Sequence, residues 1–330
     1  MVSLQDIVNA RKSIEKFVKR TPLVPAQFFS NFCDGEVYLK LENQQVTNSF
    51  KIRGALNKML HLTAEQREHG VITASAGNHA QAVAISAEQL NIAAKIIVPK
   101  TTPKVKVDKI KTHAVELILH GDIYDEAEQM AIYMAKKERL TYISPYNDEL
   151  IIAGQGSIGL EILEALPKVD LILVPVGGGG LISGISIAAK SKKPNIKIVG
   201  VQSEASPAMY KSLKAGKIVD VEMQESIADG LFGGIEKNSI TFRIIQAYVD
   251  DLTLVKEETI EKAIYKLWKE ENQVVEGAGA VTVARIMENP SVFKGKTIVV
   301  VLSGGNIEKK IFQNICARKG VFLETMDSSP

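Results

Sequence analysis

The chain has 330 residues, enough for two domains. A net charge of +2, with 45% hydrophobic and 24% charged residues, describes a globular chain and gives no reason to expect a nucleic-acid partner. No run approaches the ~20 apolar residues of a membrane span, residues 1–19 lack the apolar core of a signal peptide, and the distant Cys33 and Cys316 make neither a disulfide framework nor a paired metal motif. The expectation is a cytoplasmic protein with reduced thiols.

Apolar runs then alternate with helix-period segments. Residues 37–41 read as a strand and 51–62 as a helix. Thr47, Asn48 and Ser49 are all capping types, which puts Lys51 in the first helical turn. A cation there faces the positive end of the helix dipole, and Phe50 and Ile52 desolvate it. Both effects favour the neutral amine, the form that attacks a carbonyl. A solvated lysine fits the same spacing.

A strand over 71–74 leads into Ser75-Ala76-Gly77-Asn78-His79 and a helix over 78–90. Small residues and an amide at a helix start suit a carboxylate or a phenolic oxygen; an ordinary N-cap is the alternative. His79 reads as a general base or as a structural histidine, and without a nearby His or Cys it makes no metal site. Strands follow at 94–98 and 117–119. Between them, 100–111 has the pattern of an amphipathic helix with a solvated basic face rather than a binding patch. Pro145 and Asn147-Asp148 mark a break before a helix around 156–166.

A strand over 171–176 runs into Gly177, Gly178, Gly179 and Gly180, with a helix over 181–189 beyond. Bare amides at a helix start make an anion site suited to phosphate. The pattern is neither Gly-x-Gly-x-x-Gly nor a nucleotide P-loop; a flexible turn is the alternative. A strand over 196–201 follows, then a polar, glycine-bearing loop over 222–238, a length that is often functional. The strand over 297–302 ends on Ser303-Gly304-Gly305-Asn306. Open α/β sheets bind ligands beyond the carboxyl ends of their strands, so Ser303 reads as a ligand contact or as a cap for the next helix. The tail after Phe322 reads as frayed. The alternation as a whole predicts parallel sheets covered by helices.

Ser49-Phe50-Lys51-Ile52-Arg53-Gly54-Ala55, Ser75-Ala76-Gly77-Asn78-His79, the four glycines and Ser303-Gly304-Gly305-Asn306 occur in the order typical of one family. The chain resembles the pyridoxal-phosphate enzymes of fold type II (tryptophan synthase β-like). Within them it resembles the threonine/serine dehydratases and the related serine racemases. Ala153-Gly154-Gln155-Gly156 and Ile227-Ala228-Asp229-Gly230 look like further family segments. The resemblance implies two open αβα domains: a large one from 1–48 plus 147–330, and a small insert over 49–146. It implies that Lys51 carries the cofactor covalently with Phe50 beside it. Asn78 would bond the ring's phenolic oxygen, and Gly177 to Gly180 with the Leu181 amide would hold the phosphate. Ser303 would pair with the pyridine nitrogen. Ser75, Asn78 and His79 would face the substrate carboxylate.

The activity so implied is dehydration and deamination of L-threonine, L-serine or both, by β-elimination. The rivals are an amino-acid racemase, a dehydratase of a bulkier β-hydroxy amino acid and, outside enzymes of this kind, a nucleotide-binding regulator. Serine racemases carry a serine resembling position 76 as their second base; this chain has Ala76, which favours elimination. Their metal loop has a Glu and an Asp. Glu204 matches the first and Tyr210 stands at the second, so Glu204 with backbone carbonyls is what remains for a cation. A homodimer or homotetramer is the family expectation. Only 24 residues follow Asn306, too few for the regulatory domain of biosynthetic threonine dehydratases, and the chain resembles the short catabolic type.

Overall fold

The computed structural model describes residues 2–319 and 321; the expected fraying after Phe322 lies outside them. Among the described residues, ten strands make two sheets. They are β1 (Leu23–Pro25), β2 (Glu36–Lys40), β3 (Val71–Ala74), β4 (Ala94–Val98), β5 (Glu116–Leu119), β6 (Thr141–Tyr142), β7 (Leu171–Pro175), β8 (Lys197–Ser203), β9 (Asp251–Val255) and β10 (Thr297–Val301). The larger sheet runs β1-β2-β10-β7-β8-β9 and the smaller β5-β4-β3-β6. Only β1 and β2 are antiparallel; every other pairing is parallel. The central strands β7 and β10 are buried at every residue, as four-residue Val/Ile/Leu runs in a parallel sheet covered by helices should be. The fold is α/β with two mostly parallel sheets, as the alternation predicts. All four strands of the smaller sheet fall between residues 71 and 142.

Parallel strands put their carboxyl ends on one edge, which places the turns that matter. The four glycines follow β7, Ser303 follows β10 two residues on, and the Ser75 turn follows β3. Since β10 pairs with β7 through Val300 and Leu173, the glycine and Ser303 turns are neighbours.

The helix Lys51–Leu60 begins where the sequence places it, but its cap does not come from Thr47, Asn48 or Ser49. Phe50 stands at the N-cap without a side-chain bond, and Asn48 adopts φ 53°. Ser49 forms an antiparallel bridge to Gly304, and the Phe50 amide donates to Ser303 O at 3.1 Å. Pairing with the end of β10 thus replaces a cap. The helix expected around 156–166 starts earlier, at Glu149, because the Asp148 carboxylate accepts the Leu150 and Ile151 amides at 2.8 and 3.1 Å.

The Lys51–Leu60 helix packs on Glu149–Ala165, which packs on Gly180–Lys192. Glycines let these backbones close: a Cβ on Gly154 would lie 2.5 Å from Arg53 O, and one on Gly184 2.3 Å from Ile152 O. A buried charge cluster pins the first helix two residues beyond Lys51. Arg53 donates to Glu42 at 2.8 and 2.9 Å and to Glu161 at 2.7 and 3.0 Å, while Lys40 pairs with Glu161. Both signs balance, as buried ions require. Among the described residues no helix is long and apolar enough to cross a membrane.

Candidate active site

Lys51 is the first residue of its helix and half-buried; its Nζ donates to the Pro145 carbonyl at 2.9 Å and lies 5.2 Å from the Phe50 ring centre. Burial pulls its pKa down to about 8, opposed by the negative charge of Glu276. A substantial neutral fraction near pH 8 is what a lysine nucleophile needs.

The glycine turn sits beyond the next link of the chain. Tyr146 follows Pro145, and its ring lies against the turn: a Cβ on Gly178 would come within 2.4 Å of it. Gly179 has φ 90°, a left-handed conformation that glycine adopts without strain, and it opens the helix Gly180–Lys192. The amides of Gly177, Gly178, Gly179, Gly180 and Leu181 donate to no acceptor among the described residues. Five free amides at a helix start fit a phosphate, and a neighbouring lysine amine of lowered pKa fits an aldehyde. The residues present therefore suit pyridoxal phosphate at both ends.

Asn78 opens the helix Asn78–Leu90. Its Nδ2 donates to Glu276 at 2.6 Å and its Oδ1 accepts Asn306 Nδ2 at 2.7 Å. These bonds fix the amide orientation and leave one N–H for a ligand oxygen. Ser75 Oγ accepts the Gly77 amide at 3.2 Å, which shapes the turn. Ser303 is buried, and its Oγ has one long contact, 3.4 Å to Ala278 O, so its hydroxyl is weakly committed.

His79 departs from the expectation that it faces a substrate. Its side chain is buried, with Nε2 2.9 Å from Ile143 O, and burial, joined by the positive charge of Lys51, holds its pKa down at about 3. A neutral imidazole already bonded inside a core is a structural histidine, not a general base; only its amide remains for a ligand. Glu204 stands apart from this site. It is exposed after β8, and among the described residues no group of three or more His, Cys, Asp or Glu is placed to hold a metal. Tyr210 brings no carboxylate there, and its ring centre lies 5.5 Å from Lys214 Nζ.

Glu276 is the residue sequence reasoning missed. It is the N-cap of Gly277–Glu288, 7% exposed, and its pKa is pushed up to about 7 by burial and by Asp229, against the bond from Asn78. A Cβ on Gly304 would fall 2.2 Å from its Oε1, so the Ser303 turn is built around it. The only available signal was a glutamate before Gly277-Ala278-Gly279-Ala280, a run of small residues that asks for close packing. Contacts thus join all four motifs: Lys51 through Pro145 and Tyr146 to the glycines, and Phe50 through Ser303 and Glu276 to Asn78.

The model of the family described as pyridoxal-phosphate dependent enzyme matches residues 14–304. The chain is 44% identical over 332 residues to an L-threonine ammonia-lyase of Thermotoga maritima, covering 98% of this chain and 82% of that one. The processed form of threonine deaminase isoform 2 from Solanum lycopersicum superposes with a TM-score of 0.90 at 35% identity, over 96% of this chain and 88% of that one. A maize serine racemase does so at 0.90 and 31%, over 97% and 98%. With nearly its whole length matched, the chain belongs to the pyridoxal-phosphate dependent enzymes.

Proposed function

We propose that the protein eliminates water from L-threonine, L-serine or both, releasing ammonia and 2-oxobutanoate or pyruvate. The observation that carries this is the joining of a low-pKa amine to five free amides through residues 145 and 146. Pyridoxal phosphate, when bound, supplies the electron sink that makes the substrate's α-proton acidic. Lys51 holds the cofactor and, once displaced by the substrate amine, takes the α-proton on Nζ. The β-hydroxyl leaves with a proton as water, and the enamine formed hydrolyses to the oxo acid and ammonia.

Gly177, Gly178, Gly179, Gly180 and Leu181 bind the phosphate through their amides. Phe50 packs beside the ring, Asn78 donates its spare N–H to the phenolic oxygen, and Ser303 meets the pyridine nitrogen. The Ser75 hydroxyl and the amides of Asn78 and His79 receive the substrate carboxylate at a helix start.

Racemisation would need a second base facing Lys51. The position that would supply it is Ala76, whose methyl packs against the core of the smaller sheet and carries no proton to exchange. Residues 49–146 act in this reading as a unit that closes over the larger one, within a cytoplasmic homodimer or homotetramer; light scattering checks the assembly. An oxo-acid assay across β-hydroxy amino acids, with chiral chromatography of unreacted serine, tests the activity. Oxo acid without D-serine is expected, and D-serine as the main product would overturn the reading. Borohydride reduction and peptide mapping should place the cofactor on residue 51 and nowhere else.

A further inference from the structure

Tyr146 has no role in the chemistry above, yet it stands between the amine and the glycine turn. It lies in the connection that leaves β6 and returns the chain to the larger sheet. On its amino side, the Pro145 carbonyl accepts Lys51 Nζ at 2.9 Å. Its own ring fills the space beside Gly178, and a Cβ on Gly180 would meet its backbone at 3.0 Å. Its hydroxyl accepts the Glu236 amide at 3.0 Å, and Asn147 Nδ2 donates to Glu236 Oε2 at 2.6 Å. From the other side, Thr241 Oγ1 donates to Gly178 O at 2.6 Å, and the Ile240 amide donates to Asn147 Oδ1 at 2.9 Å. The glycine turn is clamped between a ring and a hydroxyl.

Four consecutive glycines are the most conformationally free segment a chain can offer, and a ligand that orders them must overcome that freedom. A clamp orders them beforehand, which raises affinity without adding a contact to the ligand. It also explains Gly178 differently from a close ligand approach: its side-chain position is taken by the Tyr146 ring.

We propose that Tyr146 is a positioning residue for the cofactor phosphate, its ring bracing Gly178 and its backbone Gly180 so that their amides converge, while the adjoining Pro145 carbonyl sets the span to Lys51. This rests on the proposed assignment of the glycine turn to the phosphate. The test compares dissociation constants of the full-length protein for pyridoxal phosphate and for pyridoxal, which lacks the phosphate. Tyr146→Ala should weaken pyridoxal phosphate at least about tenfold and pyridoxal by less than about threefold, as lost preorganisation of one subsite requires. Gly178→Ala should weaken pyridoxal phosphate through the clash with the ring, and the double variant Gly178→Ala/Tyr146→Ala should bind it more tightly than Gly178→Ala alone. Should Tyr146→Ala not fold, Tyr146→Leu carries the same comparison. Equal weakening of both ligands, or a double variant no better than Gly178→Ala, overturns the proposal. Equal affinity of the unaltered protein for the two ligands would instead remove the phosphate assignment itself.

Discussion

Among the described residues, Lys51 Nζ has one hydrogen-bond partner, the Pro145 carbonyl, and one carboxylate whose charge reaches it, Glu276. That charge favours the ammonium form. Glu276→Gln keeps an oxygen to accept the Asn78 N–H but removes the charge, so the pKa of Lys51 should fall further below about 8. The pH dependence of reductive methylation of Lys51 in cofactor-stripped protein measures it; an unchanged profile would dismiss Glu276 as its electrostatic partner. His79 supplies a second test. Its folded pKa of about 3 lies below the 6.5 of the unfolded chain, so the unfolded state binds the extra proton between those values. Its contribution is complete above about pH 6.5 and is lost as pH falls toward about 3, on the order of 5 kcal/mol in all. His79→Gln, which keeps a donor for Ile143 O, should therefore lose less stability than the unaltered protein between pH 6.5 and 4 in urea titrations. The positions of Lys51, Asn78 and Ser303 were legible because motif residues sit at element ends. Glu276 was not, since its role depends on burial by a turn 28 residues later in the chain, at Gly304.

Helix Lys51–Leu60 was legible as a helix, while its anchoring was not. Capping types at 47–49 suggested a local start, yet Ser49 and Phe50 pair with residues 303 and 304, and no local pattern encodes a partner that distant. Arg53 likewise read only as part of a motif; the structure buries it fully between two carboxylates. Arg53→Met would strand Glu42 and Glu161 without their shared cation, and a loss of at least about 3 kcal/mol is expected in denaturant unfolding. A change under about 1 kcal/mol would mean that Lys40 alone satisfies both acids. The segment Ala153-Gly154-Gln155-Gly156 was recognisable, but its reason is packing. Gly184→Ala should push two helix backbones apart and cost about 1–3 kcal/mol, read as a lower melting temperature.

The two sheets were legible from the alternation of apolar runs; β1 and β6 escaped because strands of three and two residues carry no period, and β9 escaped because this edge strand, Asp-Leu-Thr-Leu-Val, is only partly buried and has no long apolar run. Helix Lys104–Lys111 shows what the expected solvated basic face does: Lys106 donates to Asp229 at 2.8 Å and Lys109 to the neutral Asn306 at 2.9 Å, so one ion pair and one hydrogen bond tie this helix to residues beyond the smaller sheet. If closure of residues 49–146 accompanies substrate binding, added salt should raise KM in the unaltered protein by screening this half-exposed pair. Asp229→Asn should start with KM about two- to fivefold higher and respond less to salt. Identical salt responses would separate this pair from closure.

The bridge from Ser49 to Gly304 also has a temporal side. Translation delivers the amine early and its anchor last, so a nascent polypeptide still short of Gly304 lacks the partner that fixes the start of the Lys51 helix. On the proposed attachment of the cofactor to Lys51, capture of the vitamin then waits for the end of β10, and ribosome-stalled chains ending before Ser303 should emerge without it.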